Sequence, residues 1–480
     1  MKRPNILFFM CDQMQAQVLN PDNPCITPNF DYLSSIGTRF QRAYTPNAVC
    51  SPARASLMTG LLPHNHGVLW VTHTVDEDQG CLREDKPHWA KSLVKAGYRT
   101  GYFGKWHVER TNELERYGWQ VNGEEKTDLY IRKKQELREK ELKEQEYSLV
   151  AYNENPEGYN PRHILYGVTN IEPEKRMMGI TTSLSLDFLE EAIEGKDPWC
   201  CFVSVIEPHD PFVCGKKAFD LYDVDSIPLA PNVFDNMEDR PNIYRKAARV
   251  WKNMTQRQKR EAAACYYASI TEIDEQFGRL IKKLKDAGQL ENTIIILTTD
   301  HGEMLGSHGI YCKNIAAYEE IYNIPLIIAG PGITKGQVST ACVGLHDLCQ
   351  TILELTGCET FDVPDSRSFA PVLRKPECEK EFDKGFAEYF GGRILLTQRV
   401  VWDGAWKFIF NGFDFDELYN LQEDPYELNN LIGKSEYDSI VRKMSAQMWQ
   451  KIKETNDHSL YKSDYPILRL ASYGPSINMG

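Results

Sequence analysis

Short apolar runs alternate with amphipathic stretches along most of this 480-residue chain. The pattern predicts strands at Ile6–Met10, Tyr98–Phe103, Cys200–Ile206, Thr293–Thr298 and Pro325–Ala329. Between them lie helical periods. One ends over Ser92–Ala96 and is capped by Gly97. The longest, Glu261–Ala287, sets Tyr266, Ile270, Ile273, Phe277, Leu280 and Leu284 on one face and closes at Gly288. Such alternation predicts an α/β protein, with a large, mixed but mostly parallel sheet sandwiched by helices. Arg132–Glu146 is dense in Lys and Glu and reads as a solvated helix supported by i,i+4 charge pairs. The character changes near Pro376. Arg393–Val401 and Trp406–Phe410 are rich in β-formers and flank Asp403-Gly404, a hairpin signal. A helical stretch, Ser435–Glu454, follows. Residues 1–376 are therefore expected to form the main domain. Residues 377–480 should form a smaller α+β domain with an irregular tail.

Composition narrows the choices. Hydrophobic residues make up 42% and charged residues 26%, enough for a real core, which excludes a disordered or collagen-like chain. A net charge of −13 argues against nonspecific nucleic-acid binding, which needs a basic surface. No apolar run approaches the ~18 residues of a membrane helix. At the N-terminus, Ile6–Cys11 is too short for a signal peptide's apolar region and no cleavage site follows. As written, the sequence predicts a cytoplasmic protein; a leader already removed would not show. The 13 cysteines are odd in number and include no C-x-x-C pair, so buried reduced thiols are expected.

Polar groups recur just after the predicted strands. Asp12-Gln13 follows the first, Lys105 and His107 the second, His209 the third, and Asp300-His301 the fourth. Ligands of open α/β sheets bind at the carboxyl ends of the strands, so these sets should converge on one crevice. Between the first two strands lies Cys50-Ser51-Pro52-Ala53-Arg54, heading a helical run that ends at Gly60. This C-x-P-x-R segment, the strand–Asp before it and Gly-Lys-Trp-His after it resemble the sulfatase family of the alkaline phosphatase superfamily. Further matches are Thr27-Pro28-Asn29, Tyr266–Ile270, Thr299–Glu303 with Cys312-Lys313, and Glu417–Leu421 with Asp424-Pro425. Together they cover most of the chain.

The resemblance implies an alkaline phosphatase-like fold and a formylglycine-dependent sulfuric ester hydrolase. A separate maturation enzyme would oxidise Cys50 to formylglycine, which hydrates to a geminal diol. One hydroxyl attacks sulfur and releases the alcohol; the other deprotonates, the aldehyde re-forms and sulfate leaves. Asp12, Gln13, Asp300 and His301, completed by the modified Cys50, would hold a divalent metal. Many sulfatases carry a second Asp where Gln13 stands and Asn where His301 stands, so this shell is less anionic. Oxygen-dominated ligation suggests Ca²⁺, with Mg²⁺ or Mn²⁺ as alternatives. Arg54 would orient the diol, Lys105 would clamp sulfate oxygens, and His107 would take the proton that triggers aldehyde re-formation. His209 and Lys313 would bind the ester and protonate the leaving group.

Other residues draw a weaker functional reading. His64 and His66 could form a second metal site but more often such a pair lines a pocket or caps a turn. His308 is a candidate support for the metal pair, Trp70, His73 and Tyr311 are candidate pocket walls, and His346-Asp347 reads as a helix start. Two other functions compete. A phosphonate monoester or phosphodiester hydrolase of the same superfamily can share C-x-P-x-R, Asp-Gln and Asp-His, but usually lacks Gly-Lys-Trp-His. In a non-catalytic anion-binding protein, Cys50 would stay a thiol. The leaving alcohol is expected first to be a sugar, with an aryl group or an alkyl alcohol such as choline as the other candidates; the oligomeric state is not encoded in any motif.

Overall fold

The computed structural model describes residues 3–76, 79–83, 85–138, 145–153, 155, 157–159, 162–313, 315–392, 394–461 and 470–477. Its centre is an eight-stranded sheet. In spatial order the strands are Gln337–Gly344, Gly37–Tyr44, Leu326–Ala329, Thr293–Thr299, Asn5–Cys11, Trp199–Ser204, Arg99–Gly104 and Val121–Glu124. Leu326–Ala329 runs antiparallel to both neighbours and the other pairings are parallel. The central strands are buried on both faces, which is why they read as unbroken apolar runs.

Alternate residues of the first strand feed two cores. Leu7 and Phe9 point to a layer containing the helix Gln256–Asp286, where Phe277 meets Phe9 at 5.2 Å and Phe30 at 5.5 Å between ring centroids. Phe8 and Met10 point to the opposite layer, with Phe8 stacked on Phe202 at 4.4 Å. The long helix starts at Gln256, five residues before the expected start at Glu261. Thr255 caps it in a capping box with Gln258, and that first turn is polar and carries no hydrophobic period.

The Lys/Glu-rich helix is shorter than its charge pattern: it spans Asp128–Arg138, with Lys133 paired to Glu136 at i,i+3 and to Asp187. Residues 139–144 of that stretch lie outside the described residues. A small three-stranded sheet, Tyr147–Tyr152, Ile164–Thr169 and Phe212–Gly215, was not signalled by any clear period.

Toward the C-terminus, Lys384–Gly391, Leu395–Asp403, Trp406–Asn411 and Glu417–Asn420 form an antiparallel sheet, with Asp403-Gly404 at the expected hairpin. The helix Asp438–Glu454 packs on it through Met444, Met448 and Trp449. Ala471, Tyr473 and Ile477 of the tail join that same cluster. Among the described residues no helix is long and apolar enough to cross a membrane.

Candidate active site

The polar sets do meet at the carboxyl end of the sheet. Cys50 is the first residue of the helix Cys50–Thr59, whose ten residues are all buried, and Gly60 ends it in the left-handed region at φ 73°. The Cys50 thiol is therefore held rigidly where the helix dipole favours negative charge. Its Sγ lies 3.2 Å from His301 Nε2, 3.7 Å from Asp12 Oδ1, 3.8 Å from Lys105 Nζ and 3.1 Å from Lys313 Nζ. Burial alone would push this thiol up, but Lys105, Lys313 and His301 outweigh it and hold Cys50 well below the ordinary thiol range.

Arg54, one helical turn on, is fully buried. Its Nε donates to Asp300 Oδ2 at 2.7 Å and one terminal nitrogen to Asp12 Oδ2 at 2.9 Å; the other donates to Ser204 Oγ and the Lys105 carbonyl. The guanidinium thus fixes the two carboxylates beside Cys50. By occupying both Oδ2 atoms it leaves both Oδ1 atoms facing the cavity. His301 donates Nδ1–H to the Gly302 carbonyl at 3.0 Å, so Nε2 is the nitrogen that faces the same point. Ligand atoms of Asp12, Cys50, Asp300 and His301 all lie within 4.8 Å of one another. Buried, convergent and oriented by partners behind them, they fit a divalent cation. Gly302 permits this loop to dock: a Cβ there would lie 2.0 Å from the Glu320 carbonyl oxygen.

Gln13 adopts φ 68°, an uncommon conformation for a side-chain-bearing residue. Its Nε2 donates to Asp210 Oδ1 and Glu303 Oε2, which turns Oε1 toward Lys313 Nζ at 2.9 Å. Lys105 Nζ sits 2.6 Å from Asp12 Oδ2. Burial and the nearby Cys50 raise Asp12, but Lys105, His209 and Lys313 dominate and keep it ionised, well below the usual range. His209 spends Nδ1–H on the Asp210 carbonyl at 2.7 Å, and its Nε2 accepts from Lys313 Nζ at 2.7 Å. His107, with φ 50°, meets His73 across 3.0 Å between Nε2 and Nδ1. Its own Nδ1 is buried without a hydrogen-bond partner. Burial and Lys105 push this imidazole down to about 4, so it stands neutral.

Sequence reasoning missed several supporting groups. Asp210 and Glu303 hold Gln13, and Ser204 holds Arg54. Asp210 and Glu303 flank named motifs, and that adjacency was the only available signal. Of the weaker candidates, His73 meets His107 and Tyr311 lies beside Lys313, while the others bond elsewhere. His308 is buried between Asp235 and Asn232 and stacks on Tyr318 at 3.8 Å, away from the four ligands. His66 bonds Ser56 Oγ and the Val68 N–H. Asp347 is the first residue of its helix and accepts from the Gly344 and Arg367 N–H groups. Trp70 donates to the Phe390 carbonyl.

His64, in the short helix Pro63–His66 that follows the nucleophile helix, bonds to the C-terminal sheet. Its Nδ1 meets Glu388 Oε1 at 2.6 Å and its Nε2 meets the Thr455 carbonyl at 2.9 Å, so both nitrogens donate only in the charged ring. Burial lowers this imidazole, yet Glu388 outweighs it and raises it to about 9. The free value is about 6.5, so the stabilisation is complete below that pH and lost as pH rises through about 9. His64→Gln should therefore cost up to about 3 kcal/mol near pH 6 and almost nothing near pH 10, read from urea melts of both proteins at each pH.

Residues 4–358 match the Sulfatase family, and residues 306–454 match the N-sulphoglucosamine sulphohydrolase C-terminal family. The chain is 31% identical over 449 residues to the uncharacterized sulfatase YidJ of Escherichia coli (strain K12), spanning 92% of this chain and 86% of that one. An arylsulfatase of Clostridium perfringens is 29% identical over 456 residues, 91% of each chain. The solved phosphonate monoester hydrolase SpPMH from Silicibacter pomeroyi shares the fold at TM-score 0.79, with 24% identity over 95% of this chain and 97% of that one. With its sheet, its strand-end cluster and this family match, the chain belongs to the sulfatase family of the alkaline phosphatase superfamily and is a sulfatase.

Proposed function

We propose that this enzyme hydrolyses sulfate monoesters of sugar or aryl alcohols through a formylglycine made from Cys50 by a separate maturation enzyme. The observation that carries the reading is the placement of Cys50 Sγ. It lies on a helix N-terminus, within 3.8 Å of two lysines, a carboxylate and a histidine. A plain thiol would attack sulfur but leave an adduct with no easy exit; a geminal diol supplies both nucleophile and leaving step.

Asp12, Gln13, Asp300 and His301 are the proposed metal ligands, with calcium the favoured ion and magnesium or manganese the alternatives. A bound cation supplies Lewis-acid polarisation of the nucleophile and of a sulfate oxygen. The protein's own groups do the rest. Lys105 and Lys313 bracket the position of the sulfuryl group and stabilise its charge throughout. Lys313, carrying the proton that it shares with His209, is placed to protonate the departing alkoxide. Neutral His107 takes the proton of the second hydroxyl. Arg54 holds both ligand carboxylates in place and aimed.

Peptide mass spectrometry of active enzyme should find Cys50 lighter by about 18 Da, the difference between thiol and aldehyde. Protein produced without a maturation system, or carrying Cys50→Ala, should be inactive. Full activity in a preparation whose Cys50 is wholly unmodified would overturn this reading.

A further inference from the structure

Beside the reaction centre lies a second cavity, of about 170 Å³. It opens between the segment Ala247–Trp251 and the loop that carries Lys313. Val250, Trp251, Ile310, Tyr311 and Ile315 line it, and the stem of Lys313 forms part of its wall. The Lys313 ammonium reaches 3.1 Å from Cys50 Sγ, so the cavity begins one lysine side chain from the nucleophile. Trp251 and Tyr311 form a tilted aromatic pair 5.3 Å apart, while Val250, 49% exposed, stands at the lip.

We infer that this cavity receives the leaving alcohol and selects esters of a single hydrophobic six-membered ring over sugar sulfates, an inference that rests on the sulfatase chemistry proposed above. Size limits the guest first. An apolar cavity of about 150 Å³ is filled by one benzene, so this one takes one ring and excludes two fused or linked rings. Polarity comes next. Among the described residues that line it, only Trp251, Tyr311 and Lys313 carry side-chain nitrogen or oxygen. Trp251 offers a single indole N–H, Tyr311 a single buried hydroxyl with no partner of its own, and Lys313 Nζ is committed to the reaction centre. A pyranose would bring several hydroxyls into this space and leave most without partners, whereas a cyclohexyl or phenyl ring loses nothing on entry. The aromatic pair offers such a ring two faces. Position completes the argument: a sulfuryl group bracketed by Lys105 and Lys313 would have its ester oxygen on the Lys313 side, and the Lys313 stem is part of the cavity wall.

The test uses esters of matched intrinsic reactivity. Cyclohexylmethyl sulfate and glucose 6-sulfate are both primary alkyl sulfates on a six-membered ring and differ in the hydroxyls. With Cys50-converted enzyme, kcat/KM for cyclohexylmethyl sulfate should exceed that for glucose 6-sulfate by at least about tenfold. Trp251→Ala should remove about tenfold from the first and leave the second, and competitive inhibition by inorganic sulfate, unchanged. Val250→Asp, at the exposed lip, should repeat this selectivity loss without disturbing the fold. A biphenylmethyl sulfate should be a poor substrate. Glucose 6-sulfate cleaved as well or better, or variants that slow both esters equally, would overturn the subsite alone. Cleavage of neither ester alongside turnover of a phenyl phosphonate ester would overturn the sulfatase chemistry and the subsite with it.

Discussion

Asp300→Ala is expected to abolish both metal retention and turnover. The residue does three things at once. Its Oδ1 accepts the His301 and Gln13 N–H groups and faces the ligand point, 3.6 Å from His301 Nε2. Its Oδ2 takes the Arg54 Nε–H at 2.7 Å. Removing the carboxylate therefore deletes a proposed metal ligand, frees the His301 and Gln13 N–H groups it accepts from, and leaves a fully buried guanidinium with only Asp12 opposite it. Breaking a buried ion pair on one side costs about 3–5 kcal/mol, so the Ala variant should also melt earlier. Asp300→Asn separates the two effects. Its amide oxygen still accepts from Arg54, so most of the stability should return, while the lost charge should keep the site empty and the enzyme inactive. Elemental analysis of each purified variant, beside thermal melts and activity, checks the whole pattern. Stoichiometric metal and full activity in Asp300→Ala, or full activity in metal-free wild-type protein, would contradict the assignment.

The convergence of this site could be read from the chain because each contributor comes directly after a strand buried on both faces. Asn5–Cys11, Arg99–Gly104, Trp199–Ser204 and Thr293–Thr299 are dense in apolar residues and parallel. Their carboxyl ends therefore share one side of the sheet, and the polar residues at those ends must gather there. The partners of those residues were not legible. Glu303 reaches Gln13 across 290 positions, and nothing local to either announces it. Arg54 shows the same limit from the other direction: its motif marks it, but only the fold reveals that it binds Asp12 and Asp300. His308 illustrates a false lead. It stands seven residues after His301, yet its φ of 52° and the turn around it swing the ring toward Asp235. The short strands Tyr147–Tyr152 and Phe212–Gly215 escaped for a different reason: one is only partly buried and the other is four residues long, too little for a period of two to register.

His107→Ala should leave the first half-reaction largely intact and stall the second. The ring lies against Cys50 but outside the set of metal-ligand atoms, so its loss should not strip the metal. It is neutral, pushed down to about 4 by burial and by Lys105, and its Nδ1 has no other hydrogen bond to serve. A base so placed is needed only when the spare hydroxyl must lose its proton. Rapid-quench kinetics with a chromogenic sulfate ester should then show a burst of alcohol of one equivalent per active site, followed by turnover slowed on the order of 10²–10⁴. Lys105→Ala should behave in the opposite way. Its ammonium, 2.6 Å from Asp12 Oδ2 and 3.8 Å from Cys50 Sγ, acts on the charge of the sulfuryl group as it transfers. That variant should slow the burst itself and show no accumulation. The contrast also separates sulfur from phosphorus chemistry, because the Lys105 and His107 pair is what distinguishes the two readings in the sequence. A His107→Ala enzyme that turns over normally, or a wild-type enzyme that prefers a phosphonate monoester to every sulfate ester tested, would shift the assignment to phosphonate hydrolysis.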